Sequence, residues 1–268
     1  MEIVGYFMTA LVGISLGLIG GGGSILTVPI LVYLMGINPV LATSYSLFIV
    51  GSTSMVGATI SYRNGLVKVK TALFFGLSSI ATVFLIRRFI MPAIPDILFK
   101  TDFFSLSKSV TIMVLFALLM LFAAVAMIRD KKVIEADSKP FSEMGSKVTS
   151  LLSYGVLIGT ATGFLGAGGG FLLIPALVLI FKIPMKEAVG TSLLIIALNS
   201  IIGFAADYGH YIINWKFLIS IALIAITGIF IGTFISKKAD GEKLKKAFGW
   251  FVFAMGLYIL MHELFFHT

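Results

Sequence analysis

The sequence predicts an all-α polytopic membrane protein of two inverted repeats, each a glycine-tipped re-entrant or broken helix hairpin followed by three transmembrane helices. Two observations support this fold class. The chain of 268 residues is 59% hydrophobic and 12% charged, with a mean hydropathy of +1.08, which is more apolar surface than one soluble core could bury. Residues 13–29 and 159–175 also align without a gap, with seven of 17 positions identical. A duplicated glycine-rich break within apolar sequence is typical of repeat-built secondary transporters.

Six apolar stretches are close to the ~20 residues that a helix needs to cross the hydrocarbon of a bilayer. They are 39–62, 68–88, 108–128, 187–206, 215–236 and 247–266. These stretches lack the alternation of apolar and polar residues that a barrel strand requires. Two further stretches, Ile3–Gly36 and Leu151–Lys182, are longer and carry glycines near their middles. We expect each to form two short arms with a glycine tip near mid-membrane.

The distribution of the 20 Lys and Arg residues favours re-entrant hairpins over a single crossing by each long stretch. Single crossings leave nine basic residues on one face and eleven on the other, whereas hairpins give 15 and five. The second distribution obeys the positive-inside rule. It places both termini outside, and it inverts the halves because each half then makes three crossings. The predicted division is a first repeat, 1–128, a cytoplasmic linker, 129–148, and a second repeat, 149–268.

Composition also bounds the partners and cofactors. The net charge of +8 resides in predicted loops, where membrane orientation and anionic headgroups explain it, so we expect the lipid bilayer and not nucleic acid as a partner. The absence of cysteine excludes disulfides and thiolate metal sites. His262 and His267 are five residues apart, which is not the spacing of a zinc protease. No metal and no cofactor are therefore expected. Since the N-terminus has no basic region, a cleaved signal peptide is not expected either.

The glycine tips are predicted to bind an anion. Non-helical backbone at membrane depth leaves amides unpaired unless protein or a watery cavity satisfies them. The arms that follow the tips direct positive dipole ends at the midplane, and inversion brings the two ends together. The alternative, close helix packing, explains Gly13 and Gly17 well but not four consecutive glycines. The predicted tip ligands are Gly20, Gly21, Gly22, Gly23, Ser24, Gly166, Gly168, Gly169 and Gly170.

Hydroxyl and amide side chains follow each hairpin. Thr43 and Ser44 correspond to Thr191 and Ser192 at an offset of 148 residues. These hydroxyls are predicted to bind an oxyanion, and the open alternative is that they bond back to their own helix. Asn199, two turns beyond Thr191, is predicted to be a buried site residue.

Ionisable residues are scarce within the predicted spans. Asp207 and His210 stand at the outer end of one span, where we expect exposure rather than burial. A proton-coupling role for this pair is left open.

The pattern Gly-x3-Gly-x2-Gly-x-Gly-Gly-x5-Pro, present twice with a Thr-Ser pair downstream each time, resembles the sulfite exporter TauE/SafE family of membrane permeases. The resemblance covers nearly the whole chain. It implies export or permeation of small sulfur-containing anions such as sulfite, sulfoacetate or other organosulfonates. One departure is that Gly21 corresponds to Ala167 and Ser24 to Gly170, so the two half-sites are not equivalent.

The sequence thus predicts a transporter in a prokaryotic inner membrane, in which the halves rock around a small anionic substrate. The closest alternative is a passive anion channel, and a scaffolding membrane protein is a third. The segment 13–17 matches Gly-x-Ser-x-Gly, a signature of serine hydrolases, but the histidines His210, His262 and His267 are all near predicted span ends. We therefore expect no catalytic residues and no enzyme. A coupling proton and homo-oligomerisation are left open.

Overall fold

A computed structural model describes residues 2–101, 104–129, 144–236 and 241–266. Most of the predicted linker, 129–148, lies outside these ranges. The elements are largely helical, as predicted. The long helices are α1 (Glu2–Ile19), α3 (Pro39–Arg63), α4 (Val69–Leu85), α6 (Lys108–Arg129), α7 (Met144–Leu165), α9 (Met185–Ala206), α10 (Trp215–Ser236) and α11 (Gly241–Phe266). The short helices are α2 (Thr27–Pro29), α5 (Met91–Ala93) and α8 (Gly170–Pro175).

Five helical segments of the described chain are long and apolar enough to cross a membrane. They are Pro39–Arg63, Val69–Ala93, Lys108–Ala126, Met185–Ala206 and Trp215–Ile235. These segments confirm five of the six predicted spans. The sixth lies in α11, whose apolar part, Gly249–Phe265, is slightly shorter. Large apolar side chains remain exposed on the outer helices, for example Leu73 and Leu77 on α4 and Phe234 on α10. The molecule is a nearly all-helical polytopic membrane protein, as the predicted all-α class requires, with one small hairpin in addition.

Both long stretches are broken at their glycines. The first passes from α1 into a 3₁₀ segment, Gly21–Leu26, before α2, and the second passes from α7 through the glycines into α8. Each following arm carries a proline and then continues as a π turn, Ile30–Leu34 or Ala176–Ile180. Because proline has no amide hydrogen, it interrupts the i to i−4 ladder and favours such a change of pattern.

A small antiparallel hairpin connects α5 to α6. Its strands are β1 (Ile97–Thr101) and β2 (Phe104–Ser107). Before it, the chain of α4 continues through a π turn, Ile86–Ile90, into α5. This continuation extends the second span to Ala93, beyond its predicted end at residue 88, so Arg87 lies within the span rather than at its end.

The helices pack in pairs. α3 and α9 form the most buried pair and run antiparallel, because Gly51 lies against Ser200, whereas Gly57 lies against Leu193. α1 packs on α10, α7 on α4 and α6 on α11. In the alignment of the halves, α1 corresponds to α7, α3 to α9, α4 to α10 and α6 to α11. Two pairs, α3 with α9 and α6 with α11, therefore join counterparts. The other two, α1 with α10 and α7 with α4, are counterparts of each other. The inverted orientation of the halves and the boundaries of the repeats stay predictions.

Candidate functional site

The two glycine tips meet inside the molecule. We call Gly20–Ser24 the first tip and Gly166–Gly170 the second. An ideal Cβ on Gly21 would lie 2.3 Å from the Cα of Gly170, and one on Gly170 would lie 2.4 Å from the Cα of Gly21. The backbones are therefore in direct contact, and a side chain at either position would force the tips apart.

Positive φ angles shape both tips. Gly20 has φ 73°, and Gly166, Gly168 and Gly169 have φ 66°, 67° and 70°. These conformations cost little for glycine and are strained for residues with a Cβ. Gly22 belongs to the 3₁₀ segment of the first tip, and Ser24 closes that segment by donating its hydroxyl to the carbonyl of Gly21, at 2.7 Å.

The central helices α3 and α9 flank the tips. A Cβ on Gly168 would lie 2.8 Å from Cγ2 of Ile196 and 3.0 Å from Oγ of Ser200, both on α9. A Cβ on Gly166 would lie 2.3 Å from the carbonyl oxygen of Thr43 on α3. A Cβ on Gly20 would lie 2.8 Å from Cγ1 of Val189 on α9. Of the four predicted hydroxyl residues, Thr43 lies against the second tip.

The four predicted hydroxyls have different partners. Thr43 and Ser192 bond back to their own helices, at 2.7 Å to the carbonyl of Val40 and 2.9 Å to that of Val189. Thr191 instead accepts from the backbone amide of Lys68, at 2.9 Å. Ser44 is fully buried, and its Oγ has no hydrogen-bond partner among the described residues. The bonding-back alternative therefore holds for Thr43 and Ser192.

Several further buried hydroxyls lie within the bundle without a partner in the part of the chain that the structure describes. The set is Thr27, Ser46, Ser54, Thr162 and Ser200. Two of them adjoin the second tip, since Cβ atoms on Gly169 and Gly168 would approach Thr162 Oγ1 and Ser200 Oγ. Thr162 and Ser200 were not predicted as site residues. The sequence indicates them only through their positions on predicted helices near the glycines.

Asn199 is buried, as predicted, and its partner is on another helix. Its Nδ2 donates to Oγ of Ser79 on α4, at 2.7 Å, whereas its Oδ1 has no partner in the described structure. Ser79 is itself fully buried. The amide thus links α9 to α4, and a direct role in binding stays a prediction.

The expectation that Asp207 is exposed is wrong. Asp207 is 1% exposed and Arg87 0% exposed, and the Nη1 atom of Arg87 donates to Oδ2 of Asp207 at 3.1 Å. The same Nη1 donates to Oγ1 of Thr43 at 3.0 Å. The position of Asp207 at the end of a span suggested exposure to water, but the second span continues past Arg87 and buries both groups. His210, by contrast, is exposed as expected.

Other polar groups surround this ion pair. Lys108 donates from Nζ to the carbonyl oxygens of Met91 and Ile94, at the end of the second span. In the loop after α9, burial raises the pKa of the Tyr211 hydroxyl, and the negative charge of Asp207 raises it further. Tyr211 is therefore a neutral hydroxyl at physiological pH.

Ser15, the candidate nucleophile of the Gly-x-Ser-x-Gly segment, donates its hydroxyl to the carbonyl of Val12 at 2.8 Å. It abuts the first tip, since a Cβ on Gly23 would lie 2.3 Å from its Oγ. No group of three or more His, Asp or Glu residues suited to a metal occurs within the described ranges.

Comparisons with a family model and with known proteins agree, and both cover most of the chain. The family model "Sulfite exporter TauE/SafE" matches residues 6–259. A "Probable membrane transporter protein" of Xylella fastidiosa (strain Temecula1) is 30% identical over 257 residues, which cover 93% of this chain and 91% of the relative. The "Probable membrane transporter protein YunE" of Bacillus subtilis is 28% identical over 243 residues, 85% of each chain. No solved structure shows significant similarity to the chain.

Proposed function

The chain belongs to the sulfite exporter TauE/SafE family, and from that premise we propose that it exports small sulfur-containing anions such as sulfite or organosulfonates. Its relatives named probable membrane transporters support transport rather than catalysis. The proposed mechanism is alternating access, in which the halves rock around a central anion site.

The observation that carries the proposal is the direct contact between two broken-helix tips. Gly21 and Gly170 touch, and irregular backbone of this kind inside a membrane protein needs polar partners. Since the contact leaves no room between these two residues, the anion is proposed to bind beside it. Its proposed ligands there are amides of Gly20, Gly22, Gly23, Gly168 and Gly169 with Ser44, Thr191 and Asn199. Gly166, Ser24, Thr43 and Ser192 already donate to backbone carbonyls and are proposed to line the site.

The finer features of the proposal concern the membrane. We place the protein in a prokaryotic inner membrane with both termini outside and the linker in the cytoplasm, on the basis of the charge distribution. A proton is the proposed coupling ion, and homo-oligomers are compatible with the exposed apolar helix faces.

Uptake into proteoliposomes tests the proposal. Labelled sulfite and methanesulfonate are supplied with and without a pH gradient, to wild type and to Gly168→Ala and Gly36→Ala variants. The two glycines share φ 67°, but nothing lies within 4 Å of a Cβ on Gly36, whereas one on Gly168 clashes with Ile196. Both variants therefore have the same backbone strain, about 1–2 kcal/mol, and only Gly168→Ala disturbs the tip.

We expect saturable wild-type uptake that responds to the gradient. Gly168→Ala should lower it at least about tenfold, equivalent to about 1.4 kcal/mol of barrier, and Gly36→Ala should retain it. Wild-type protein that is folded but takes up neither anion would disprove the substrate assignment. Unsaturable flux would favour a passive channel, and normal flux through Gly168→Ala would remove the tips from the site.

A further inference from the structure

Arg87 is a fully buried cation whose hydrogen-bonding capacity is only partly used. A guanidinium has five N–H donors, two of them on Nη1. The Nη1 atom of Arg87 donates to Thr43 and to Asp207, which accounts for both of its hydrogens. Nε and Nη2 are buried and have no hydrogen-bond partner among the residues described. Three N–H donors of a buried charged group are therefore left over.

The unused donors form a defined recognition surface. Nε and Nη2 constitute one edge of the planar guanidinium, and such an edge donates two parallel hydrogen bonds to two oxygens of one oxyanion. Buried charged donors without partners are strongly unfavourable, and native proteins rarely leave them so. An edge with this geometry at 0% exposure therefore points to a bound oxyanion.

The guanidinium of Arg87 lies beside the second tip. Thr43 accepts from Arg87 and also lies against the backbone of Gly166. One residue earlier on the second span, Ile86 lies against Gly163 in the last turn of α7. Arg87 is thus held at the place where α7 ends and the glycine backbone begins.

We propose, on the basis of the proposed function, that Arg87 binds two oxygens of the transported anion through Nε and Nη2 while Asp207 positions the guanidinium through Nη1. The substrate class is then an oxyanion with at least two terminal oxygens, and a halide binds poorly. Asp207 balances the charge of Arg87 when no anion is bound, which reduces the cost of burying it.

This site has no charged counterpart at the first tip. At the offset of 148 residues that relates Thr43 to Thr191, the counterparts of Arg87 and Asp207 are Ile235 and Thr59. The two half-sites, which are expected to differ because Gly21 corresponds to Ala167, thus also differ in charge. One anion is therefore expected per chain, bound on the Arg87 side of the contact between the tips.

A purely structural ion pair is the competing explanation, and Lys108 is the competing cation. Lys108 donates to two backbone carbonyl oxygens at the end of the second span. Its ammonium is therefore engaged in stabilising that end. A structural Arg87–Asp207 pair would affect folding but not the choice among anions, and this difference can be measured.

Calorimetric titration of the purified, full-length protein in nanodiscs tests the proposal without requiring transport. The probes are sulfite, methanesulfonate, formate and chloride. The variants are Arg87→Lys, which keeps the charge and loses the fork, and Arg87→Gln combined with Asp207→Asn, which removes both charges and avoids an unpaired buried carboxylate. Arg88→Gln is the matched control, because Arg88 is the exposed neighbour.

Wild type should bind sulfite or methanesulfonate at one per chain and chloride at least tenfold more weakly. Arg87→Lys and the double variant should weaken oxyanion binding by about 10- to 100-fold, as loss of hydrogen bonds to a charged group does. Arg88→Gln should stay within about twofold of wild type, as a surface charge does.

The outcomes separate this inference from the proposed function. Unchanged oxyanion affinity in both Arg87 variants would overturn the role of Arg87 and leave sulfur-anion transport intact. Binding of formate but neither sulfur anion, lost in Arg87→Lys, would support the oxyanion site and overturn the sulfur substrate. Wild type that binds none of the three oxyanions would overturn both.

Discussion

At the scale of single residues, the bond between Asn199 and Ser79 joins two helices inside the bundle. Ser79→Ala leaves a buried amide donor without its acceptor, which should lower the free energy of unfolding by about 1–3 kcal/mol. Ser220→Ala is the control, because its exposed hydroxyl bonds to the carbonyl of Lys216 on its own helix, and it should change stability by less than about 0.5 kcal/mol.

Reversible unfolding in denaturant, followed by circular dichroism, measures these values. The double variant Ser79→Ala with Asn199→Ala should show a coupling energy of about 0.5–3 kcal/mol. Additive losses would mean that the two side chains do not interact. Sulfite uptake by Asn199→Ala below that of Ser79→Ala would support a binding role in addition to the structural one.

Individual residues were predictable where the sequence repeats itself. The tips and the Thr-Ser pairs occur twice, so their positions could be found without a structure. The Arg87–Asp207 pair could not, because its members are 120 residues apart and neither has a charged counterpart in the other half. Hydropathy places charges at span ends, and it contains no information that a π turn continues the second span past Arg87.

At the scale of the elements, α1 and α10 pack backbone to backbone through glycine. A Cβ on Gly13 would lie 2.1 Å from the carbonyl oxygen of Ala225, and one on Gly232 would lie 2.2 Å from that of Ile14. Small residues at such positions allow helices in lipid to approach closely. The packing alternative for Gly13 is therefore confirmed, and it coexists with the separate role proposed for the tips.

This contact predicts opposite effects for one substitution at two glycines. Gly13→Ala must separate α1 from α10 and should destabilise by about 1–3 kcal/mol. Gly76→Ala on α4 has space, since the nearest atom to its Cβ is 4.0 Å away, and should stabilise by about 0.5–1 kcal/mol through lower unfolded-state entropy. Thermal unfolding of the purified variants measures both. A similar gain at both sites would show that helix propensity, not packing, decides.

At the scale of the whole molecule, the pairing of helices follows the duplication of the sequence, whereas the buried charges Arg87 and Asp207 have no charged counterparts. The aligned halves place α1 with α7 and α4 with α10 as counterparts, and the packing joins α1 to α10 and α7 to α4. The predicted spans came from local hydropathy. The pairings depend on contacts between distant segments, for which one sequence gives no signal. Antiparallel packing of α3 and α9 also puts Asn38 and Lys186 at opposite ends of that pair.

Absolute orientation follows from labelling single cysteines, because the chain has none. Asn38→Cys, Lys186→Cys and Ile212→Cys place thiols at exposed positions, and Ile212 is 96% exposed. Replacing Asn38 removes a helix cap on Val40 and should cost about 1 kcal/mol, which the fold should tolerate.

If 15 basic residues face the cytoplasm, an impermeant maleimide should label Asn38→Cys and Ile212→Cys in intact cells. Lys186→Cys should react only after permeabilisation. The reverse pattern would invert the molecule in its membrane, and labelling of Asn38→Cys and Lys186→Cys from the same side would contradict the hairpins.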